Sequence, residues 1–258
     1  MQLHVHQWGA DDAPPLVCLH GVTGHGRRFR RLAEERLAAG FRVIAPDLRG
    51  HGRSEWEPPW RLETYVADLV ETLDDLGTGP GTFVGHSFGG RLLLELAEHA
   101  PERVERAVLL DPAIQILPHI ALSSAEDIRR DRVFDSIEEA IADRIAGDPT
   151  NPREFVEEEM LEHLTADRDG RLRPRYSQAC VAALYGELAT EPPAPETLRA
   201  RTLLVHAPGF GLVRAEQVSD YAAALGDRLR VVEVAGGHMV YWDAYTETAD
   251  AIDAFLAR

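Results

Sequence analysis

Three short patterns in this chain of 258 residues could carry out nucleophilic chemistry. Gly85-His86-Ser87-Phe88-Gly89 sets a serine between glycines, and Ala235-Gly236-Gly237-His238-Met239 sets a histidine beside two more near the C-terminus. Asp111 closes the apolar run of residues 104–110. A serine hydroxyl is a poor nucleophile until an imidazole takes its proton, and that imidazole needs a carboxylate on its other nitrogen to fix the tautomer and stabilise the imidazolium. The chain order Ser87, Asp111, His238 supplies nucleophile, acid and base in that sense.

A serine motif of this kind acts only where a strand runs into a sharp turn and a helix. Residues 82–85 are strand-like and residues 88–99 have helical period, so the context is present. Small residues at Gly85 and Gly89 let neighbouring backbone pass close to the turn, leaving Ser87 Oγ at the carboxyl edge of a sheet. The first amide of the helix, Phe88 N–H, points its positive dipole end at the place where an oxyanion would form. A second donor is expected from the loop after the earlier strand, where His20-Gly21-Val22 follows residues 16–19, and Val22 N–H is assigned to it. His20 itself reads as a structural residue that orients this loop.

These groups need a scaffold. Apolar, β-branched runs recur at residues 3–6, 16–20, 41–46, 82–85, 104–110, 202–206 and 229–234, and helical periods lie between them at 27–39, 62–76, 88–99, 215–225 and 241–256. Strand then helix, repeated, predicts an α/β fold: a mostly parallel central sheet with helices on both faces. From Pro112 to Pro195 no strand-like run is read, while residues 125–145, 152–164 and 175–188 have helical period. This interval is expected to be a helical cap (112–195) inserted into a core made of residues 1–111 and 196–258, with Glu191-Pro192-Pro193-Ala194-Pro195 as the connector back to the sheet.

Taken together, His20-Gly21, the loop Asp47-Leu48-Arg49-Gly50-His51-Gly52-Arg53-Ser54, the turn at Ser87 and Gly237-His238 resemble the α/β-hydrolase superfamily, in its serine esterase and lipase-like members with a helical cap. The resemblance implies that the 47–54 loop is scaffold, so that Arg49, His51 and Ser54 stand outside the site. It also implies an acid after the penultimate strand, yet residues 207–214 contain no carboxylate. Some family members place the acid where Asp111 stands; Glu216 and Asp220 remain alternatives. The implied activity is hydrolysis of a carboxylic ester through an acyl-enzyme. Ser87 excludes the relatives with a carboxylate nucleophile, the haloalkane dehalogenases and epoxide hydrolases. Cofactor-free haloperoxidase or perhydrolase, C–C bond hydrolase, thioesterase and proline iminopeptidase activities stay open on the same triad, as does a hydrolase-like small-molecule receptor.

Composition narrows the partners. The chain holds 43 acidic and 27 basic residues, a formal charge of −16, which repels phosphate backbones and anionic lipid. Nucleic acid is therefore not expected, and a small-molecule substrate is. No run approaches the ~20 apolar residues of a membrane span, and the first residues carry no export signal, which places the chain in the cytoplasm. Cys18 and Cys180 lie far apart without metal-ligand companions, so neither a disulfide nor a metal is expected, and the chemistry calls for no cofactor. Ile114, Ile116 and Leu117, with Trp60 and Tyr241, are expected to line an apolar pocket under the cap.

Overall fold

In the computed structural model, which describes residues 1–130 and 132–257, the alternating runs form one seven-stranded sheet. The first half of the chain gives β1 (Val5–Trp8), β2 (Pro15–Leu19), α1 (Arg30–Leu32), β3 (Arg42–Pro46), α2 (Leu62–Asp75), β4 (Gly81–His86), α3 (Phe88–His99) and β5 (Val104–Leu110). An excursion follows: α4 (Pro118–Ile128), α5 (Ile137–Gly147), α6 (Arg153–His163), β6 (Leu164–Ala166), β7 (Leu172–Pro174) and α7 (Gln178–Leu188). The chain returns as β8 (Arg201–His206), α8 (Ala215–Leu225), β9 (Leu229–Glu233), α9 (Val240–Asp243) and α10 (Tyr245–Leu256).

Strand order is β1-β3-β2-β4-β5-β8-β9, with β1 antiparallel to β3 and every other neighbour parallel. Successive residues of the central strands alternate between two cores. Val17 and Leu19 face the core that contains Leu69, Leu92 and Phe88, while Leu16 and Cys18 face the one that contains Phe29, Tyr241 and Ile252. Burial on both faces explains why these strands read as unbroken apolar runs rather than alternating ones. Each fully buried Leu, Ile or Val contributes about 1.5–3 kcal/mol relative to exposure.

Register brings the strand ends level. Leu19 pairs Gly85, His86 pairs Leu110, Leu110 pairs Val205 and His206 pairs Glu233, so the loops after β2, β4, β5, β8 and β9 leave one edge side by side. The order reverses between β2 and β4, and a crevice opens at such a reversal in an open α/β sheet.

Three local readings need correction. Residues 125–145 are not one helix: α4 ends at Ile128 and α5 starts at Ile137, where the Ser136 hydroxyl accepts the Glu139 N–H and the Glu139 carboxylate accepts the Asp135 N–H. The excursion also holds strands, the antiparallel pair β6–β7, turned at Asp169-Gly170 with Gly170 at φ +79°. Residues 27–39 wind tightly at Gly26–Phe29, for one α turn at Arg30–Leu32 and widely at Ala33–Leu37. Among the described residues no helix is long and apolar enough to cross a membrane.

Candidate active site

Ser87 stands between β4 and α3 at φ 54°, ψ −117°. Among the described residues it and Asp111 (φ 39°) are the two non-glycine residues with positive φ, a conformation that costs roughly 1–3 kcal/mol each and persists only where surroundings impose it. The surroundings are specific. Ser87 N–H donates to Leu110 O at 3.1 Å, its carbonyl accepts from Gly90 N–H at 2.9 Å and Ala113 N–H at 3.0 Å, and Asp111 N–H donates to Val205 O at 2.7 Å. The glycines are required by contact: a Cβ on Gly89 would stand 2.0 Å from Leu19 O, and one on Gly85 would stand 2.4 Å from Gly89 O.

His238 reaches over the same edge from the loop after β9. Its Nδ1–H donates to Asp111 Oδ2 at 2.6 Å, and the second Asp111 oxygen accepts the Ala207 N–H at 3.3 Å. Asp111 is wholly buried. A carboxylate held this way fixes the Nδ1–H tautomer and leaves Nε2 as the acceptor on the far side of the ring. Glu216 and Asp220 lie exposed on α8, away from this bond.

Three residues that sequence reasoning did not assign hold the histidine in place. His86 Nε2–H donates to His238 O at 3.0 Å; burial, and then the neighbouring His238, push the His86 imidazole well below its usual range, so it stays neutral. Asp243 accepts the Gly237 N–H at 3.0 Å, and its own pKa is raised by burial. Phe210 stacks nearly parallel on the His238 ring, 5.0 Å between centroids and 12° between planes. Phe210 sits in the carboxylate-free loop after β8.

Phe88 follows Ser87 in the chain and Val22 lines the same cavity as Ser87, and among the described residues neither amide is spent on a hydrogen bond. Their peptide planes are fixed from the carbonyl side. His20 Nδ1–H donates to Gly21 O at 2.8 Å while its Nε2 accepts the Leu48 N–H at 3.0 Å, which locks the Gly21–Val22 peptide and turns the Val22 N–H the opposite way. Burial, then the nearby His51, keep His20 neutral and able to donate and accept at once. The Ser87 carbonyl, held by the amides of Gly90 and Ala113, does the same for Phe88 N–H.

The 47–54 loop is the buttress behind His20. Asp47 accepts the Gly26 N–H at 2.8 Å and the Arg53 N–H at 2.9 Å, and Arg49 grips Asp68 with two bonds of 2.6 and 2.7 Å.

Ser87, His238 and Val22 line one cavity of about 450 Å³, whose walls include Ile116, Leu117, Ile120 and Leu188 together with Arg28, Arg144 and Arg214. Three residues expected in the pocket lie elsewhere. Ile114 is buried in the core against the sheet, Tyr241 faces inward and stacks on Phe29 at 5.1 Å, and Trp60 packs at the core's margin beside Gly50. Phe88 turns its ring to the core, edge-on to Tyr65 at 5.2 Å.

One buried grouping has ligand-type atoms: His25, Glu159 and His163 lie within 4.8 Å of one another. The two imidazoles are stacked, 5.4 Å apart and 22° from parallel, so their in-plane lone pairs run alongside each other rather than converge, and Glu159 is ion-paired to Arg28. This is a packing arrangement rather than a cation cage.

Comparison with known proteins agrees with this fold. Residues 14–148 match the profile of the alpha/beta hydrolase fold family. Lipase LipV of Mycobacterium tuberculosis is 34% identical over 266 residues, covering 99% of this chain and 98% of that protein. The sn-1-specific diacylglycerol lipase ABHD11 of Mus musculus is 28% identical over 255 residues, covering 95% of this chain and 81% of that one. Among solved structures, E-2-(acetamidomethylene)succinate hydrolase superposes with a TM-score of 0.89 at 26% identity, covering 99% of this chain and 95% of that chain.

Proposed function

The chain belongs to the α/β-hydrolase fold family, and we propose that within it the protein is a serine hydrolase that cleaves a carboxylic ester through an acyl-enzyme on Ser87. The observation that carries this reading is the 2.6 Å bond from His238 Nδ1 to the buried Asp111, on a histidine that shares its cavity with a strained Ser87.

In the proposed reaction His238 Nε2 takes the Ser87 proton as Oγ attacks the ester carbonyl. The tetrahedral oxyanion is received by the Val22 and Phe88 amides, each already oriented and free of another partner, so little reorganisation accompanies charge development. The imidazolium, stabilised by Asp111, then protonates the departing alcohol. Water, deprotonated by His238, attacks the acyl-enzyme; the carboxylate product leaves and Ser87 regains its proton. The Ile116, Leu117 and Leu188 side chains suit an apolar acyl or alcohol body, and residues 112–195 act as the cap that supplies this wall. The relatives named lipases favour the ester reading over the other reactions possible on this triad.

A panel of p-nitrophenyl esters of varied chain length tests it. Wild type should turn over at least one of them, and Ser87→Ala should lower kcat/KM by about 10³-fold or more. Equal rates for the two proteins would end the serine-hydrolase reading.

A further inference from the structure

The catalytic cavity does not end at its apolar wall. Thr23, Arg28, Ser124, Arg144 and Tyr185 line it and also line a second cavity of about 310 Å³ beneath α4, α5 and α6, so the two chambers share a wall. The second chamber is rich in charge, and most of that charge is internally matched. Arg28 pairs with Glu159, Arg132 with Asp143 at 3.6 Å, and Asp127 with Arg130 at 3.3 Å.

Arg144 is the exception. Among the described residues no carboxylate pairs with it, and its Nε is buried without a hydrogen-bond partner; Arg28 Nε is orphaned in the same way. Its place in the last turn of α5 puts it at the favourable end of a helix dipole but supplies no acceptor for that buried N–H. A half-buried guanidinium without a counter-charge is costly unless something completes it. The charge also reaches the catalytic side, since Arg28 and Arg144 both help hold His86 below its usual range.

The geometry points to a substrate that carries a carboxylate remote from its scissile ester, received by Arg144 where the two chambers meet. The inference rests on the serine-hydrolase reading above and names the substrate class for it. A guanidinium binds a carboxylate through a planar fork. The apolar stretch of wall between Ser87 and the arginines then contacts the aliphatic spacer, so that spacer length sets which ester reaches Oγ. The reaction itself is unchanged: ester plus water gives a carboxylate and an alcohol, and the remote carboxylate only orients.

The test compares mono-p-nitrophenyl esters of four- to eight-carbon dicarboxylic acids with p-nitrophenyl esters of the matching monocarboxylic acids, and 3-carboxy-4-nitrophenyl butyrate with p-nitrophenyl butyrate. The first pairing places the carboxylate on the acyl side and the second on the alcohol side. One of them should show a kcat/KM advantage for the anionic ester, and Arg144→Gln should reduce that anionic-to-neutral ratio about 10- to 100-fold, chiefly through KM, with Arg144→Lys retaining part of it. Arg153→Gln, on the outer surface of α6, serves as a control for loss of positive charge and should leave the ratio as it was. Binding gives a readout separate from turnover: the free dicarboxylates should raise the melting temperature of wild type and not of Arg144→Gln. A rise in melting temperature with no ester turned over would end the hydrolase reading and keep the anion site. Turnover with no anionic preference in either pairing, or a preference untouched by Arg144→Gln, would overturn the anion site and leave the hydrolase.

Discussion

At the scale of single residues, the site is a set of polar groups each given one hydrogen-bonding role by its neighbour. Asp111 is the clearest case, since its two oxygens are committed to His238 Nδ1 and to the Ala207 amide, and its backbone is bent to φ 39° to place them there. Asp111→Asn keeps the shape but presents an amide N–H in place of a carboxylate oxygen, which favours the wrong imidazole tautomer. The expected result is a fall in kcat on the order of 10⁴ with KM little changed. Steady-state kinetics on an ester that wild type accepts decides it; a loss under tenfold would move the acid to another residue. Ser87 and His238 were singled out by motif, position and chain order, and Asp111 chiefly because residues 207–214 hold no carboxylate; the structure joins His238 to Asp111 and opens His238 and Ser87 to one cavity. Phe210 was not singled out. Its loop was noticed only for lacking a carboxylate, and nothing in Gly209-Phe210-Gly211 says that the ring will lie flat on a histidine far away in sequence. Trp60, Ile114 and Tyr241 failed as pocket residues for the reverse reason: large apolar side chains are equally suited to a cavity wall and to a core, and local sequence does not state which way they turn.

At the scale of elements, the question is how the long segment between β5 and β8 is held to the core. Arg91, on the second turn of α3 and buried, answers part of it. Its guanidinium donates to Ile114 O at 2.8 Å where the excursion leaves, to Glu191 O at 2.8 Å where it returns, and to Glu95 at 2.8 Å within the helix. One side chain thus ties both ends of the excursion to the helix that starts at the nucleophile. Arg91→Met fills similar space but orphans two carbonyls and a buried Glu95, which should cost about 3–5 kcal/mol. Limited proteolysis should then cut within residues 112–195 well before the rest of the chain, and urea unfolding should shift by that amount; an unchanged digestion pattern would show that the clamp is dispensable. The sheet strands were legible from hydrophobicity because they are buried on both faces. The excursion was less so, although its punctuation was present: Ser136-x-x-Glu139 is a helix-start signature that divides residues 125–145, and Asp169-Gly170 is a hairpin turn. Helical period on either side of these signals outweighed them, since β6 and β7 are only three residues each.

At the scale of the whole molecule, the same economy that keeps the site's imidazoles neutral makes the fold sensitive to acid. His20, His25, His51, His86 and His163 are all buried, and burial holds each below its ordinary value, His25 at about 3. In the unfolded chain these groups take up protons near pH 6.5, while in the folded chain they do so only at lower pH. Between those limits the unfolded state binds more protons, so their contribution is fully present above pH 6.5 and is lost as pH falls. Each imidazole that stays neutral in the fold while it protonates in the unfolded chain removes at most about 1.4 kcal/mol per pH unit inside that window. Relief of self-repulsion in a chain of formal charge −16 works the other way, but it needs protonated carboxylates and so begins nearer pH 4. Asp47, held below its usual range through its bonds to His6 and the Arg53 and Gly26 amides despite burial, adds a loss in the same direction as the imidazoles, but only below about pH 3.8. Urea midpoints should therefore be level from pH 8 to 7 and fall between 6.5 and 5.5. Equal midpoints at pH 7.5 and 5.5 would mean that these imidazoles protonate without opening the fold. The neutral His20 and His86 that orient Val22 and His238 would then be free to change charge within the working range of the site.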